Sequence, residues 1–225
     1  MNIVDIIAIF GILLGGVSGW HNGFFKQSVT LIGTIICFIL AWFFKDIIAN
    51  FLSYTFPFFT FAGPFEGLTS LNIVLYQLLS FILLLILFTS VLVVLVKITN
   101  GFEKFLKFTI ILGIPSKILG FIVGAIESYV ILFAILFFVH QPVFNFEIVN
   151  ESKLTSPILN SSPVLSNVVG NMNDAIGDIY TITKDYNVNQ NPDSFNRQVV
   201  NTLLEHDVVD KDYINTLREK GKINY

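Results

Sequence analysis

Residues 71–96 read LNIVLYQLLSFILLLILFTSVLVVLV, a run without one charged side chain. A bilayer core needs about 20 mostly apolar residues per helical span, and this run is long enough. It does not alternate polar with apolar, so it reads as a helix and not a strand. Inside lipid the backbone must satisfy its own polar groups, which leaves helices or closed barrels as spanning structures.

Working outward, three more runs have the same character: Ile3–Gly19, Ser28–Phe44 and Ile118–Val139. The first has Asp5 where a signal peptide carries basic residues, and it lacks an A-x-A site, so it reads as a retained span. Composition agrees. The 225 residues are 54% hydrophobic and only 13% charged, about half the charge of a soluble domain, and the mean hydropathy is +0.74. Of 16 acids, five precede residue 140 and 11 follow it. The expected fold is an all-α integral membrane protein. Its membrane domain, 1–139, has four transmembrane helices, and a small, mostly helical tail, 140–225, lies outside the bilayer.

Lysines set the expected orientation, because basic residues near span ends favour the cytoplasm. Lys26 lies in the first connection, and Lys97, Lys104, Lys107 and Lys117 in the third; on the other side Lys45 closes the second span, and Lys153 is the only basic residue within 20 residues of the fourth. Both termini are therefore expected outside the cytoplasm, with Lys45 snorkelling to the interface.

The second connection, Asp46–Ser70, contains NFLSYTFPFFTFAGPFEGLTS from Asn50. Pro57 and Pro64 oppose a regular helix, and the phenylalanines suit a loop at headgroup level; a re-entrant segment is the alternative. In the third connection, GFEKFLKFTI repeats Phe102, Phe105 and Phe108 at helical spacing between Glu103, Lys104 and Lys107. That pattern predicts a short amphipathic helix on the membrane face.

In the tail, Leu165, Val168, Val169, Met172, Ile176 and Ile179 form one stripe of a helix over Val164–Thr183. KDYNVNQNPDS (184–194) reads as a linker with Pro192. Phe195–His206 and Tyr213–Lys220 read as small helices, the second capped by Asp210. Seven basic against 11 acidic residues give the tail a difference of −4, which speaks against the tail binding anionic lipid or nucleic acid. Its stripes are free to pack on each other, on the membrane or on a partner.

Small residues four apart let two helices approach closely in lipid. Gly11, Gly15 and Gly19 form one such ridge; Ser116, Gly120, Gly124 and Ser128 form another. The ridges meet each other or a second subunit. Asn22 and Gly23 make the cytoplasmic turn, and Lys26 anchors the next span. Asp5 reads as a cap or interfacial acid within reach of water. Glu127 lies about 15 Å along the last span from Lys117 at 1.5 Å per residue, near the bilayer midplane. A carboxylate there costs at least about 2.5 kcal/mol, so a protonated Glu127 bonded to hydroxyls is expected, with Thr34, Thr89 and Ser90 at similar depth. It either ties helices together or serves as a proton- or cation-responsive site.

Catalytic signatures are missing. Cys37 is the lone cysteine and makes neither a disulfide nor a thiolate metal site. His21, His140 and His206 are far apart. There is no G-x-S-x-G, H-E-x-x-H or Walker loop, and no cofactor or metal is expected.

GWHNGFFKQSVTLIGTIICFILAWFF, with its Gly23-Phe24-Phe25-Lys26-Gln27 step, resembles the first turn and second span of the colicin V production (CvpA) family. KILGFIVGAIESYVILFAILFF resembles that family's last span through Lys117, Leu119, Gly120, Gly124 and Ala125. Asp5 near the N-terminus and the exit ESKLTSPILNSSPVL are also similar. The resemblance covers about residues 1–165. It departs at Asn22, where a basic residue is usual, and at Glu127-Ser128, where Arg-Gly is common. It implies a bacterial membrane protein that supports toxin production or export and envelope homeostasis, as a homo-oligomer or with a membrane partner. A small channel or transporter subunit with Glu127 in its pathway is the second reading, and an enzyme the third.

Overall fold

The computed structural model describes residues 2–62, 66–106, 113–140, 147–162, 165–184 and 191–225, with 98–106, 147, 150 and 184 by backbone only. The described residues form α1 (Ile3–Asn22), α2 (Phe24–Thr55), α3 (Leu71–Leu106) and α4 (Gly113–Val139). In the tail they form α5 (Glu147–Asn150), α6 (Thr155–Ser161), α7 (Leu165–Lys184), α8 (Pro192–Glu205) and α9 (Lys211–Glu219). Each of the first four is long and apolar enough to cross a membrane.

Local chemistry sets the ends of α1. The Asn2 side chain accepts from the amides of Val4 and Asp5, while Asp5 accepts from the Asn2 amide, a reciprocal cap. At the other end Gly23 alone separates α1 from α2. Its φ of 78° lies in the left-handed region that glycine enters without a Cβ penalty.

Across the membrane domain the packing order is α1, α4, α2, α3. α1 lies against α4, and α2 lies between α4 and α3. One end of this row carries the α1–α2 turn and the other carries the tail. Towards the tail end, rings from three helices converge: Phe38 meets Phe81 at 5.3 Å and Phe133 at 5.8 Å, edge-on, and Trp42 meets Phe81 and Phe137. Edge-to-face pairs add about 0.5–1.5 kcal/mol beyond burial.

α2 runs farther than expected. Its helix continues through Asp46 to Thr55, because Pro57 is the first residue that opposes it and Lys45 has found partners. Lys45 does not snorkel: it is buried, and its Nζ donates to Asp46 Oδ1 at 2.7 Å and Gln77 Oε1 at 3.1 Å. The loop after α2 folds against the start of α3. Phe59 and Asn72 exchange two hydrogen bonds, and Tyr76 donates to the Pro57 carbonyl. Pro64 lies outside the described residues. The third connection is not a separate helix where it is described, since α3 continues to Leu106; Lys107 and Phe108 lie outside the described residues.

The tail folds on itself and on the ends of α2 and α4. Val169, Met172, Ala175, Ile176 and Ile179 of α7 share a core with Val199 and Leu203 of α8 and Leu217 of α9. Asn191 caps α8, and Pro192 takes its first turn, where proline is tolerated. The helix thus starts inside the expected linker, of which 185–190 lie outside the described residues. Asp210 caps α9 as expected, accepting from the Tyr213 amide at 2.6 Å. Polar bonds fasten the tail down. Asn196 accepts from the amide and hydroxyl of Ser70 and donates to the Gly67 carbonyl. Lys222 donates to the Phe56 carbonyl, and Thr69 donates to the Tyr225 hydroxyl.

Candidate functional site

The two small-residue ridges meet each other. A methyl group added at Gly15 would strike Ser128 and the Gly124 carbonyl; one at Gly19 would strike the Gly120 carbonyl and touch Gly124 Cα. Gly120 and Gly124 are closed in the same way by the Gly19 and Gly15 carbonyls. Backbone therefore lies on backbone, which van der Waals packing rewards in lipid. Gly11 is the exception and corrects the expected ridge: nothing lies within 4 Å of its added methyl group. Gly16, which the four-residue spacing does not include, joins instead, with the Phe121 ring laid over it. Ser116 does more than fill space. Its Oγ accepts from the Phe24 amide at 3.2 Å, so α4 caps an α2 N-terminus that has no side-chain cap of its own.

Next to this contact lies a polar group inside the membrane domain. Gln27 Nε2 donates to Glu127 Oε2, and Thr34 Oγ1 donates to Glu127 Oε1 at 3.4 Å. Asn22 Nδ2 donates to Gln27 Oε1 at 2.9 Å. The bonds make a line from the turn end, where Asn22 is exposed, to a half-buried Glu127. Gln27 and Thr34 are buried and stand two turns apart on one face of α2, so a single carboxyl group from α4 spans both. Thr34 is the expected partner. Thr89 and Ser90 are not: Thr89 donates to the carbonyls of Leu85 and Ile86 and Ser90 to that of Ile86, all within α3. They satisfy their hydroxyls locally, as serine and threonine do in helices. Gln27 was missed by sequence reasoning, although its seven-residue spacing from Thr34 is a visible signal.

Lys26 is half-buried beside the turn, and its carbonyl accepts from Thr30 Oγ1. Asp5 corrects the expectation of contact with water. It has no accessible surface, and besides the Asn2 amide it accepts from Ser152 Oγ at 2.7 Å and the Leu154 amide at 3.2 Å. It caps α1 and pins the tail to it.

Chemically, the Glu127 group can hold a proton or a cation at a carboxyl with two fixed donors. Among the described residues no group of His, Cys, Asp and Glu is arranged to hold a metal ion. A family model described as colicin V production protein matches residues 4–163, from the first turn of α1 through α6. No curated protein and no solved structure matches the chain.

Proposed function

The chain belongs to the colicin V production protein family, and from that membership we propose that it supports toxin production or export and envelope homeostasis in a bacterial cytoplasmic membrane. The family is not a known enzyme family, and the protein acts without catalysis, by assembly with itself or a membrane partner. The observation that carries this reading is the family match across all four apolar helices. Because the glycine ridges are consumed inside one chain, assembly uses other faces, such as exposed Leu83, Ile86, Leu87, Val91, Val94 and Leu95 on α3. Lys26, Lys97 and Lys117 lie at the turn end, which favours that end in the cytoplasm and the tail outside.

Deletion of the gene is expected to lower toxin export, with recovery on complementation, and crosslinking in native membranes is expected to capture a second membrane chain. Unchanged export in the deletion strain overturns the role. Alkaline phosphatase fused to the tail is expected to be active; an inactive fusion reverses the orientation.

One observation favours a second reading, that of a channel or transporter subunit: the bonded line from exposed Asn22 to Glu127. It predicts flux through protein reconstituted in liposomes, abolished by Glu127→Gln, which keeps size but removes the titratable proton. If Glu127→Gln keeps full cellular function while Glu127→Leu loses stability, the group is a structural tie.

A further inference from the structure

The close α1–α4 contact leaves a groove beside it. Backbones that touch through small residues let the large side chains on their flanks stand up as walls. Here Val17 and Trp20 of α1 face Ile118, Phe121 and Ile122 of α4 around a cavity of about 470 Å³. The volume is that of an ordinary ligand site, roughly 300–1,000 Å³. Its lining is apolar, and Phe121 rests on Gly16 at its base.

The groove has a polar rim at one end only. Helical neighbours are four residues apart, so Lys117 stands one turn beyond Phe121, and His21 one turn beyond Val17, both towards the turn end. Both are exposed. The indole of Trp20, 38% exposed, sits just inside them with an N–H to donate. Among residues whose side chains are described, this end of the row carries Lys26, Lys97 and Lys117, and the nearest carboxyl is Glu127, ten positions along α4 from Lys117. An apolar slot that opens on a cation, at the level where a span leaves the bilayer, matches one chemistry: a fatty chain joined to a negative head. Basic sites between spanning helices bind anionic headgroups in this manner.

We propose that the groove holds an acyl chain of an anionic phospholipid, with the phosphate at Lys117 and His21. The inference is independent of the export reading and needs only that the four helices span a bilayer. Among the described side chains, this end of a second copy brings no carboxylate to Lys117, whereas an anionic headgroup brings a phosphate, which is why the lipid is the occupant.

Trp20 reports on the site. The chain has two tryptophans, and Trp42 lies at the far end of the row, against Phe81 and Phe137. In Trp42→Phe protein reconstituted in vesicles, brominated phosphatidylglycerol is expected to associate with Trp20 about fivefold more strongly than brominated phosphatidylcholine, the value of one lysine near the surface. Lys117→Gln with His21→Gln in that background is expected to bring the ratio to unity. Equal quenching by the two lipids, or a preference that survives the double substitution, overturns the proposal. So does the absence of quenching by either lipid, the result if a second copy fills the groove. Native mass spectrometry of the otherwise unsubstituted protein gives a readout that does not depend on Trp42: phosphatidylglycerol is retained over phosphatidylcholine, and Lys117→Gln loses that retention. Equal retention of both lipids by the unsubstituted protein overturns the proposal there as well.

Discussion

Gly19 and Leu203 are both buried, but against different things. Gly19 touches the backbone of Gly120 and Gly124, and its value lies in having no side chain. Leu203 has no accessible surface because its side chain fills the core of the tail among Val199, Val200 and Leu217. Between spanning helices there is no hydrophobic drive, so close approach must supply the attraction. In the tail, whose helices are amphipathic, the drive is burial itself, about 25 cal/mol per Å² of apolar surface. One chain thus uses smallness at the α1–α4 contact and bulk in the tail core, and these two contacts fail under opposite substitutions.

The largest effect is expected from Leu203→Ala. The lost volume should cost about 2–5 kcal/mol, and limited proteolysis should cut the tail while the membrane domain keeps its detergent stability. If the spans melt with the tail, the two regions are one cooperative unit. Gly19→Leu should do the reverse. Overpacking against a backbone carbonyl costs about 1–3 kcal/mol or more, and melting in detergent should fall while the tail core stays intact. Gly11→Leu is the control and should change nothing, since Gly11 faces open space; equal losses from both would mean that bulk anywhere on α1 is harmful.

Asp210→Ala should cost about 1 kcal/mol, because α9 loses the acceptor for the Tyr213 amide. The loss should appear in the tail alone. The effect expected at ordinary pH is smallest of all, and it separates the regions by titration. Burial pushes the Tyr225 phenol from 10.0 up to about 12, and burial also raises that of Tyr213. A pKa raised in the folded state means that the fold holds the neutral phenol. That stability is complete below about 10 and is lost as the pH climbs to about 12. Tyrosinate absorbance should rise together with tail cleavage in that window. The Gly–Gly contact contains no titratable group and should persist. Tail loss below about pH 9 would contradict the assignment.

Much of this was legible in the residues. Four uninterrupted apolar runs predict four spans, and the small residues at Gly15, Gly19, Gly120 and Gly124 predict a contact that the structure places inside one chain. The resemblance over about 1–165 agrees with a family match over 4–163. Asp210 was visible as a cap because capping is local. What was not legible depends on how helices are rotated and how far they slide. Gln27 finds Glu127 across 100 positions, and Lys45 is held inside by Gln77 of another helix. Thr89 and Ser90 have the right depth but bond their own helix, a choice that hydropathy does not record. Gly11 keeps the period of the ridge and loses the contact, because it faces open space.

Asp5 gives the molecule an order of assembly in time. Its carboxylate accepts from Ser152, 147 positions later. At about 5–20 residues per second, a ribosome needs roughly 7–30 s to supply that partner. During that interval the first helix is already made, with a carboxylate that nothing from the tail yet covers. The segment from Ile148 to Leu154, which meets Asn2 and Asp5, therefore seals the first helix late, and the bonds of Asn196 and Lys222 to the stretch between α2 and α3 come later still. A nascent chain stalled before it holds four finished spans and an unsealed first turn.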